Sequence, residues 1–301
     1  MTAITNRYDF QMFFTVKNGN PNGDPDVDNM PRVDPETNHG LVTDVCLKRK
    51  ARHYFSAAKG NETGFRTYFA DKAILNNFQL EAYKAAGVEH VAKKEASDKA
   101  TAAEITRWMC NQFIDTRTFG AVMSTDVNAG AVQGPIQIHF SESVEPISTI
   151  ECAITRSSVT NEKDAESVRT MGRKHIVPFA LYRVTGSISP MGAAKTGMTE
   201  EDLDLFWAAL QGMFDIDHSA ARGMMSPQDL FIFKHASRLG SAPAHKLHER
   251  VSVTRKHSGQ NIDLRDAEEM GLPAAREMRD YEINFNDEGL PGGIEVIRPW
   301  G

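Results

Sequence analysis

A long polar segment between an apolar strand and a basic helix constrains this fold more than any other part of the sequence. Alternation of Phe10, Met12 and Phe14 predicts a half-buried strand, and a basic amphipathic helix is predicted to start after Thr43. Residues 17–43, between them, are rich in Gly, Pro, Asn and Asp. Because structureless connections of this length are uncommon in compact domains unless they bind something, we expect this segment to belong to a binding surface.

The composition is that of a globular protein that can bury a sizeable core. The 301 residues are 41% hydrophobic and 25% charged, which suits one large domain. No apolar run approaches the roughly 18 residues of a membrane span, and the N-terminus does not resemble a secretory signal. The three cysteines are too few and too far apart for a disulfide framework. We therefore expect a reduced, cytoplasmic protein with no membrane partner.

Periodicity predicts strands and helices in an order typical of an α+β protein. Thr43 suits the N-cap of the first helix, which Gly60 and Gly64 end. Further helices are predicted over 70–86, 92–114 and 200–214, and strands over 117–122, 136–140, 150–155, 176–189, 229–234 and 281–285. Residues 155–175 are predicted to form a second projecting loop. This order favours a ferredoxin-like βαββαβ sheet with helices on one face.

Three aspartates in the polar segment, Asp24, Asp26 and Asp28, resemble the start of a calcium loop. An EF-hand requires Gly at the sixth position and Glu at the twelfth, where this chain has Asn29 and Pro35. Turn formation explains the aspartates better, although a carboxylate cluster that holds a metal for RNA cleavage stays open as an alternative. No complete nucleotide-binding or nucleophile motif is present. We expect no metal, no cofactor and no enzymatic activity.

Basic residues cluster at several points, in spite of a net charge of −6 that counts against a simple nucleic-acid binder. Binding depends on how charge is distributed over the surface, not on its total. The clusters stand beside Gly, Ser or Asn, which let backbone amides approach a polyphosphate chain. They lie at 48–53, 169–175, 222 and 250–257. This distribution favours contact with RNA.

One protein family resembles the chain in several motifs that occur in the family's order. They are GNPNGDPDVDNMPR with GLVTDVCLKRKAR, then RTFGAV, VQGPIQI, MGRKHIVPFALYRVTGSISP and MFDIDHSAARG. These segments are similar to the CRISPR-associated backbone subunit of the type I-C Cascade complex, in the Cas-seven superfamily. The resemblance implies an RRM-like palm spanning 1–301 as one domain, with insertions at about 17–43, 60–115 and 155–175 as finger, helical and thumb elements.

The resemblance also implies a function. Copies of such a subunit stack as a helical filament along the guide RNA (crRNA) and bind its backbone without reading its sequence, so that pairing with target DNA supplies specificity. The implied partners are crRNA, target DNA, further copies of the chain, and the capping and large subunits of Cascade. Two alternatives stay open: a metal-dependent ribonuclease that cuts RNA paired to the guide through a loop aspartate, and a structural oligomer without nucleic acid.

The RNA-binding residues implied by the resemblance come from five parts of the chain. They belong to the polar segment, the first helix, a guide-facing strand region, the thumb base and a Gly-containing turn, and Met171 is a candidate wedge between bases. The residues are Asn20, Asn22 and Arg32; Lys48, Arg49 and Arg52; Arg117, Gln133 and Gln137; Arg169, Met171, Arg173, Lys174 and His175; and Arg222.

Overall fold

The computed structural model describes residues 3–90, 98–158 and 171–300. Within these ranges the strands β1 to β15 are Tyr8–Gly19, Gly23–Asp24, Met30–Pro31, His39–Val42, Gly120–Ser124, Asn128–Gln133, Ile136–Ile138, Ser141–Pro146, Ile150–Thr155, Met171–Ile188, Met224–His235, Val251–His257, Gln260–Asp263, Tyr281–Phe285 and Ile294–Ile297. The helices α1 to α8 are Asp44–Lys59, Leu75–Ala85, Lys99–Gln112, Ile114–Phe119, Pro190–Thr196, Glu200–Ile216, Ala244–His248 and Leu264–Glu269. No helix in these ranges is long and apolar enough to cross a bilayer.

A central antiparallel sheet is built around β1. Its order is β15-β11-β1-β10-β8-β4, and β7 and β9 pair with other parts of β10. Successive side chains of a strand point to opposite faces, so Phe10, Met12 and Phe14 line one face and Phe13 lines the other. All four are fully buried. The strand that was predicted to be half-buried is therefore covered on both faces.

Helices α1 and α6 cover one face of the sheet. Phe10 meets Phe206 of α6 edge-on, with ring centroids 5.6 Å apart, and Phe14 packs against Phe214 at 5.1 Å. Full burial of side chains of this size stabilises the fold by roughly 1.5–3 kcal/mol each. Thr43 caps α1 as predicted, since its hydroxyl accepts a hydrogen bond from the N–H of Cys46 at 3.3 Å.

A small sheet, β13-β12-β14, and helix α7 cover the opposite face. Phe13, Phe231 and Phe233 of the central sheet pack there with Leu247 of α7 and Val251 of β12. This cover was not predicted, because 245–257 was interpreted as a basic stretch. The central sheet thus has cores on both faces.

The insertion between α1 and β7 has a core of its own. Tyr68, Met109, Phe113 and Met123 are buried together among α2, α3, β5 and β6. The strand predicted over 117–122 is wrong at its start, because 114–119 forms helix α4 and β5 begins only at Gly120. The residues of α4 are buried, and Thr118 donates to the carbonyl of Ile114 at 2.7 Å within the turn. All residues of this segment are therefore buried, whereas a half-buried strand would have alternated buried and exposed side chains.

The polar segment is more ordered than a loop. It contains β2, β3 and β4, and β4 pairs with β8 in the central sheet. Asp24 organises a turn, since its carboxylate accepts from the N–H of Asp26 at 3.2 Å and pairs with Arg32 at 3.0 Å. In the described ranges no three His, Cys, Asp or Glu side chains are grouped to hold a metal ion.

Candidate nucleic-acid interface

Four segments meet at the C-terminal end of β1. The backbone N–H of Asn20 donates to the carbonyl of Ala221 at 2.8 Å, and Lys174 of β10 donates to the carbonyl of Ala220 at 2.8 Å. The turn 218–223 thus joins β1 to the base of the β9–β10 hairpin. Helix α1 reaches the same point through Lys50. We call Asn20, Lys50, Lys174, Asp217 and Arg222 the polar junction.

Two glycines allow the turn to lie against β1. A Cβ on Gly19 would lie 1.9 Å from the carbonyl oxygen of Arg222. Gly223 has a φ of +62°, and a Cβ there would lie 2.5 Å from the carbonyl oxygen of Lys17. Neither position has room for a side chain, so the close approach of the two backbones depends on glycine.

Asp217 holds the cations of the polar junction in place. Its carboxylate pairs with Lys50 and with Arg222, and lies 3.5 Å from His53. Burial alone raises the pKa of this carboxyl, but the hydrogen bond from Lys50 and the charges of Lys50, Arg222 and His53 outweigh burial and hold the pKa below its ordinary value. Lys50 and Arg222 together carry one more positive charge than Asp217 neutralises.

The β9–β10 hairpin presents side chains to solvent beside the polar junction. Met171 is 68% exposed, and Arg173 is 67% exposed with Glu151 at 3.1 Å. His175, on the same face of β10, is largely buried, with Asp28 at 3.6 Å. Arg169 lies outside the described residues. Met171 and Arg173 are therefore the accessible members of the predicted thumb base.

The three cations predicted on the first helix differ in exposure. Arg49 is 53% exposed and lies 3.7 Å from Asp71. Lys48 pairs with Asp44 at 2.8 Å, one turn earlier. Arg52 is only 12% exposed and binds Asp115 at 2.9 Å. Of the three, Arg49 has the most exposed side chain.

Arg117 lies inside the protein. Its guanidinium donates to both oxygens of Asp202, at 2.9 and 2.6 Å, and to the carbonyls of Gly64 and Cys110. It ties the insertion to α6 and is 7% exposed. Because its guanidinium is enclosed and already bonded to a carboxylate and two carbonyls, it is not available to a phosphate, contrary to the prediction that Arg117 faces a guide RNA.

Gln133 and Gln137 lie in a different place. They line a cleft of about 660 Å³ together with Arg107 and Lys195. Gln137 is paired with Ser187, thirteen residues along β10 from Lys174, so roughly 40 Å of strand separates them from the polar junction. The structure does not bring these glutamines together with the other predicted residues.

The predicted residues of the polar segment hold that segment in place. Asn22 accepts hydrogen bonds from both the N–H and the hydroxyl of Thr43, each at 2.9 Å. Asn20 donates to the carbonyl of Asn29 at 2.6 Å, while its Oδ1 is buried without a partner. Arg32 is bound to Asp24. Arg32 Nε is likewise buried without a partner among the described residues, and Asn20 is the member of this group that belongs to the polar junction.

Sequence reasoning missed three residues of this region: Lys17, Lys50 and Asp217. Lys17 is exposed at the end of β1. Lys50 follows Leu47 by three residues and precedes Tyr54 by four, which is the spacing of the apolar stripe of α1. That spacing is a signal of burial that the basic run around it concealed. Asp217 had no recognisable signal, because its partners are distant in sequence.

The arrangement favours a polyanion. Exposed cations at Lys17, Arg49 and Arg173 lie on β1, α1 and β10, the three elements that contact the turn 218–223 or the adjoining Asp217. Cations and accessible backbone are the groups that contact phosphates without regard to base sequence. The surface therefore has the chemistry to bind a sugar-phosphate backbone.

Comparison with known proteins identifies the family of this chain. A family model described as CRISPR-associated protein Cas7 matches residues 6–286. The CRISPR-associated protein Cas7 of Haloferax volcanii is 24% identical over 243 residues, which span 70% of this chain and 66%, just under two thirds, of that protein.

A solved structure shares the fold. A chain of a "CRISPR RNA-guided surveillance complex, pre-nicking" has a TM-score of 0.50 at 14% identity, over 75% of this chain and 78% of that one. A chain of another CRISPR RNA-guided surveillance complex has a TM-score of 0.47 at 13% identity, over 90% and 77%. The first likeness shows a mixed α/β fold with a central antiparallel sheet. Because the family model spans most of the sequence, this chain belongs to the CRISPR-associated protein Cas7 family.

Proposed function

We propose that this protein is a non-catalytic crRNA-binding backbone subunit of a type I-C CRISPR surveillance complex. The observation that carries the proposal is the polar junction, where the polar segment, α1, the turn 218–223 and the β9–β10 hairpin converge. Family membership and the likeness to a chain of an RNA-guided complex support the same function. Three free cysteines, Cys46, Cys110 and Cys152, are consistent with a reducing cytoplasm.

The sheet supports an RRM-like palm. Its inner order, β11-β1-β10-β8, with α1 and α6 on one face, follows the order 4-1-3-2 of a βαββαβ unit. The segment 17–43, the insertion around α2 and α3, and the β9–β10 hairpin are then the finger, helical and thumb additions to this palm. In this interpretation the polar junction is the place where the finger, the palm and the thumb base meet.

Copies of the chain stack along the guide in this proposal, and each hairpin presents Met171 to the RNA as a wedge between bases. The cations and backbone groups of the polar junction hold phosphates and leave the base edges free. Pairing with target DNA then supplies specificity. Capping and large Cascade subunits complete the complex.

Binding to guide RNAs of two unrelated sequences tests the proposal. A triple variant, Arg49→Gln with Arg173→Gln and Lys174→Gln, is expected to bind both RNAs about a hundredfold more weakly and to lower the slope of log affinity against log salt by about 2. The matched control carries Lys84→Gln, Arg276→Gln and Arg279→Gln, at cations exposed elsewhere. Unchanged RNA affinity in the first variant, or an equal loss of RNA affinity in the control, would show that the polar junction and its neighbouring cations are not the RNA-binding surface.

Incubation of the assembled complex with magnesium and RNA complementary to the guide tests the absence of catalysis. We expect the RNA to stay intact, because Asp24 is engaged in a turn and in an ion pair with Arg32. Evenly spaced cuts that disappear in Asp24→Asn, Asp26→Asn or Asp28→Asn would show a ribonuclease instead.

A further inference from the structure

A cavity of about 810 Å³ lies on the face of the central sheet opposite α1 and α6. Its floor is formed by β1 and β10, and its walls by α7, β12 and the residues around α8. Gln11, on the floor, is eight residues from Gly19, so about 26 Å of strand separates the cavity from the polar junction. This site is therefore distinct from the proposed guide-binding surface.

The floor carries an amide that has no partner. Gln11 is fully buried, and neither its Nε2 nor its Oε1 makes a hydrogen bond within the described residues. It lies between Thr185 of β10 and Phe231 of β11 in the strand register. Buried amides in folded proteins are nearly always paired. An amide with both a donor and an acceptor free at the floor of a cavity indicates a ligand with a matching acceptor and donor.

His248 of α7 adds a second free group to the cavity. Its Nδ1 is buried and has no partner among the described residues. Burial lowers the pKa of His248, with only a partial opposing effect from Asp9, while His139 and Arg183 lower it further. The imidazole is therefore neutral at pH 7, with one nitrogen able to accept and the other to donate.

Two arginines at the rim are open to an anion. Arg183 and Arg265 line the cavity and are exposed, and neither makes an ion pair with a described residue. Three carboxylates also line the cavity: Glu249 pairs with Lys246 at 2.8 Å, Asp263 accepts from the backbone N–H of Arg265 at 2.9 Å, and Glu142 lies 3.6 Å from His39. Because these carboxylates do not pair with the two arginines, both guanidinium groups stay open to an anionic ligand.

Phe140 supplies a flat apolar wall. It lines the cavity and is 58% exposed, which is costly for a ring of this size without a partner. Exposed aromatic rings in nucleic-acid-binding proteins commonly stack on bases. An amide floor, an aromatic wall and two unpaired arginines on the rim are the three elements that recognise a base, its ring face and its phosphate.

We propose that this cavity binds an adenine nucleotide, with Gln11 contacting the N6/N7 edge of the base, Phe140 stacking on the ring and Arg183 and Arg265 contacting the phosphate. A glutamine amide matches the acceptor and donor of that edge in a bidentate manner. A free nucleotide and an unpaired adenosine of a nucleic-acid strand share this chemistry. Nothing in the guide-binding surface is required for the cavity to bind.

Calorimetric titration of the whole protein with AMP tests the proposal. We expect saturable binding with a dissociation constant between about 10 µM and 1 mM, and weaker binding of CMP, adenosine and inorganic phosphate. Gln11→Met, which keeps the length of the side chain and removes both polar atoms, is expected to weaken AMP binding about tenfold. Gln260→Met, at an exposed glutamine of β13, is the matched control and should bind normally.

Two further variants keep the test decisive if Gln11→Met does not fold. Phe140→Ala should weaken AMP and adenosine alike by about tenfold or more, whereas Arg183→Gln should weaken AMP and leave adenosine unchanged. Absence of saturable AMP binding, equal affinity for CMP, or indifference to all three substitutions would overturn the proposal. The triple variant at Arg49, Arg173 and Lys174 should keep full AMP binding, so failure of guide binding and failure of this cavity are distinguishable.

A dye-labelled single-stranded RNA with one adenosine among uridines distinguishes the two sources of the nucleotide, when its fluorescence anisotropy is measured on the triple variant at Arg49, Arg173 and Lys174. If AMP displaces this RNA, the cavity takes an unpaired adenosine of a strand. If AMP saturates the cavity without changing the anisotropy, the ligand is a free nucleotide. Insensitivity of both signals to Gln11→Met would show that neither binds here.

Discussion

Two groups of basic residues look alike in the sequence, and the fold uses them in opposite ways. We call Arg52, Asp115, Arg117 and Asp202 the seam, because they join the insertion to α1 and α6. In the seam each arginine faces a fully buried carboxylate. In the polar junction Lys50 and Arg222 share the single carboxylate of Asp217, and Lys174 donates to the carbonyl of Ala220. The seam therefore neutralises its charge, and the polar junction keeps it.

The difference lies in the partner of each cation. Asp115 accepts from Arg52 and also from the backbone N–H groups of Tyr68 and Phe69, at 2.7 and 3.1 Å. A carboxylate so fully bonded fixes its arginine in the interior. A neutral carbonyl orients a lysine without cancelling its charge, so the positive potential persists at the surface. Exposure and partner, not the number of basic residues, separate a structural arginine from a binding one.

Arg117→Leu should have the largest effect on stability. It leaves Asp202 buried without a counter-charge, so we expect a loss of about 3–5 kcal/mol in the free energy of unfolding, measured by urea denaturation. Arg173→Leu, at the exposed hairpin, should change it by less than about 0.5 kcal/mol. Equal effects of the two substitutions would contradict the distinction between seam and polar junction.

Asp217→Asn should have the next largest effect. We expect it to lower the free energy of unfolding by about 3 kcal/mol at pH 7, because Lys50 stays buried without its counter-charge. The pKa of Asp217 is lower in the folded protein than its ordinary value of 3.8. Its contribution is therefore complete above about pH 4 and is lost as the pH falls through the folded-state pKa. The difference in free energy of unfolding between the wild type and Asp217→Asn should therefore shrink as the pH falls through this range.

Denaturation curves at several pH values measure this dependence. Asp26→Asn, at an exposed aspartate of the polar segment, is the matched control and should show little effect at any pH. If the difference in free energy of unfolding between Asp217→Asn and the wild type stayed constant down to about pH 2, the ion pairs of Asp217 would not be the cause of the lost stability.

Thr43→Ala should cost about 1 kcal/mol of stability. Thr43 caps α1 and is bound to Asn22, so the substitution loosens the connection between the polar segment and the helix. Thr43→Ser keeps the hydroxyl and should restore most of the stability in thermal unfolding. Equal melting temperatures for the Ala and Ser variants would show that the cap has no role here.

Arg49→Gln should have the smallest effect on stability, within about 0.5 kcal/mol, because its ion pair with Asp71 is exposed. It should still reduce the salt slope of RNA binding by about 0.7. Arg52→Gln, one turn later, should do the reverse and lower stability with little change in that slope. If Arg52→Gln lowered the salt slope of RNA binding as much as Arg49→Gln, Arg52 would have to leave its interior position when RNA binds, which would contradict this prediction.

The sequence predicted elements with a clear period and missed those defined by distant contacts. The cap at Thr43, the helix from Glu200 and the strand Tyr281–Phe285 follow from local patterns, and the structure confirms them. The packing of the small sheet on Phe13 and the pairing of β4 with β8 join residues that are about a hundred or more positions apart. Local periodicity carries no information about such pairs.

The candidate site shows the same limit. Lys174, Arg222 and Asn20 were predicted separately, and the structure places them together at the end of β1. Arg117 was assigned to the guide-facing part through the family resemblance and a predicted strand, and its burial depends on Asp202, 85 residues away. The orphaned amide of Gln11 had no sequence signal at all, since Gln11 lies in an ordinary strand.

The six-strand path through the central sheet ends in four-residue strands, β4 and β15, and among the described strands the six-residue β9 is paired on one side only, as part of the hairpin. Short edge strands leave little unpaired backbone for another chain to extend the sheet. In the assembly that we propose, a copy therefore gains little by adding β4 or β15 to the sheet of a neighbour, and the contact falls to side-chain surfaces and the hairpin. In an assembly of this kind we expect the length to be set by the template that the copies share, rather than by the sheet.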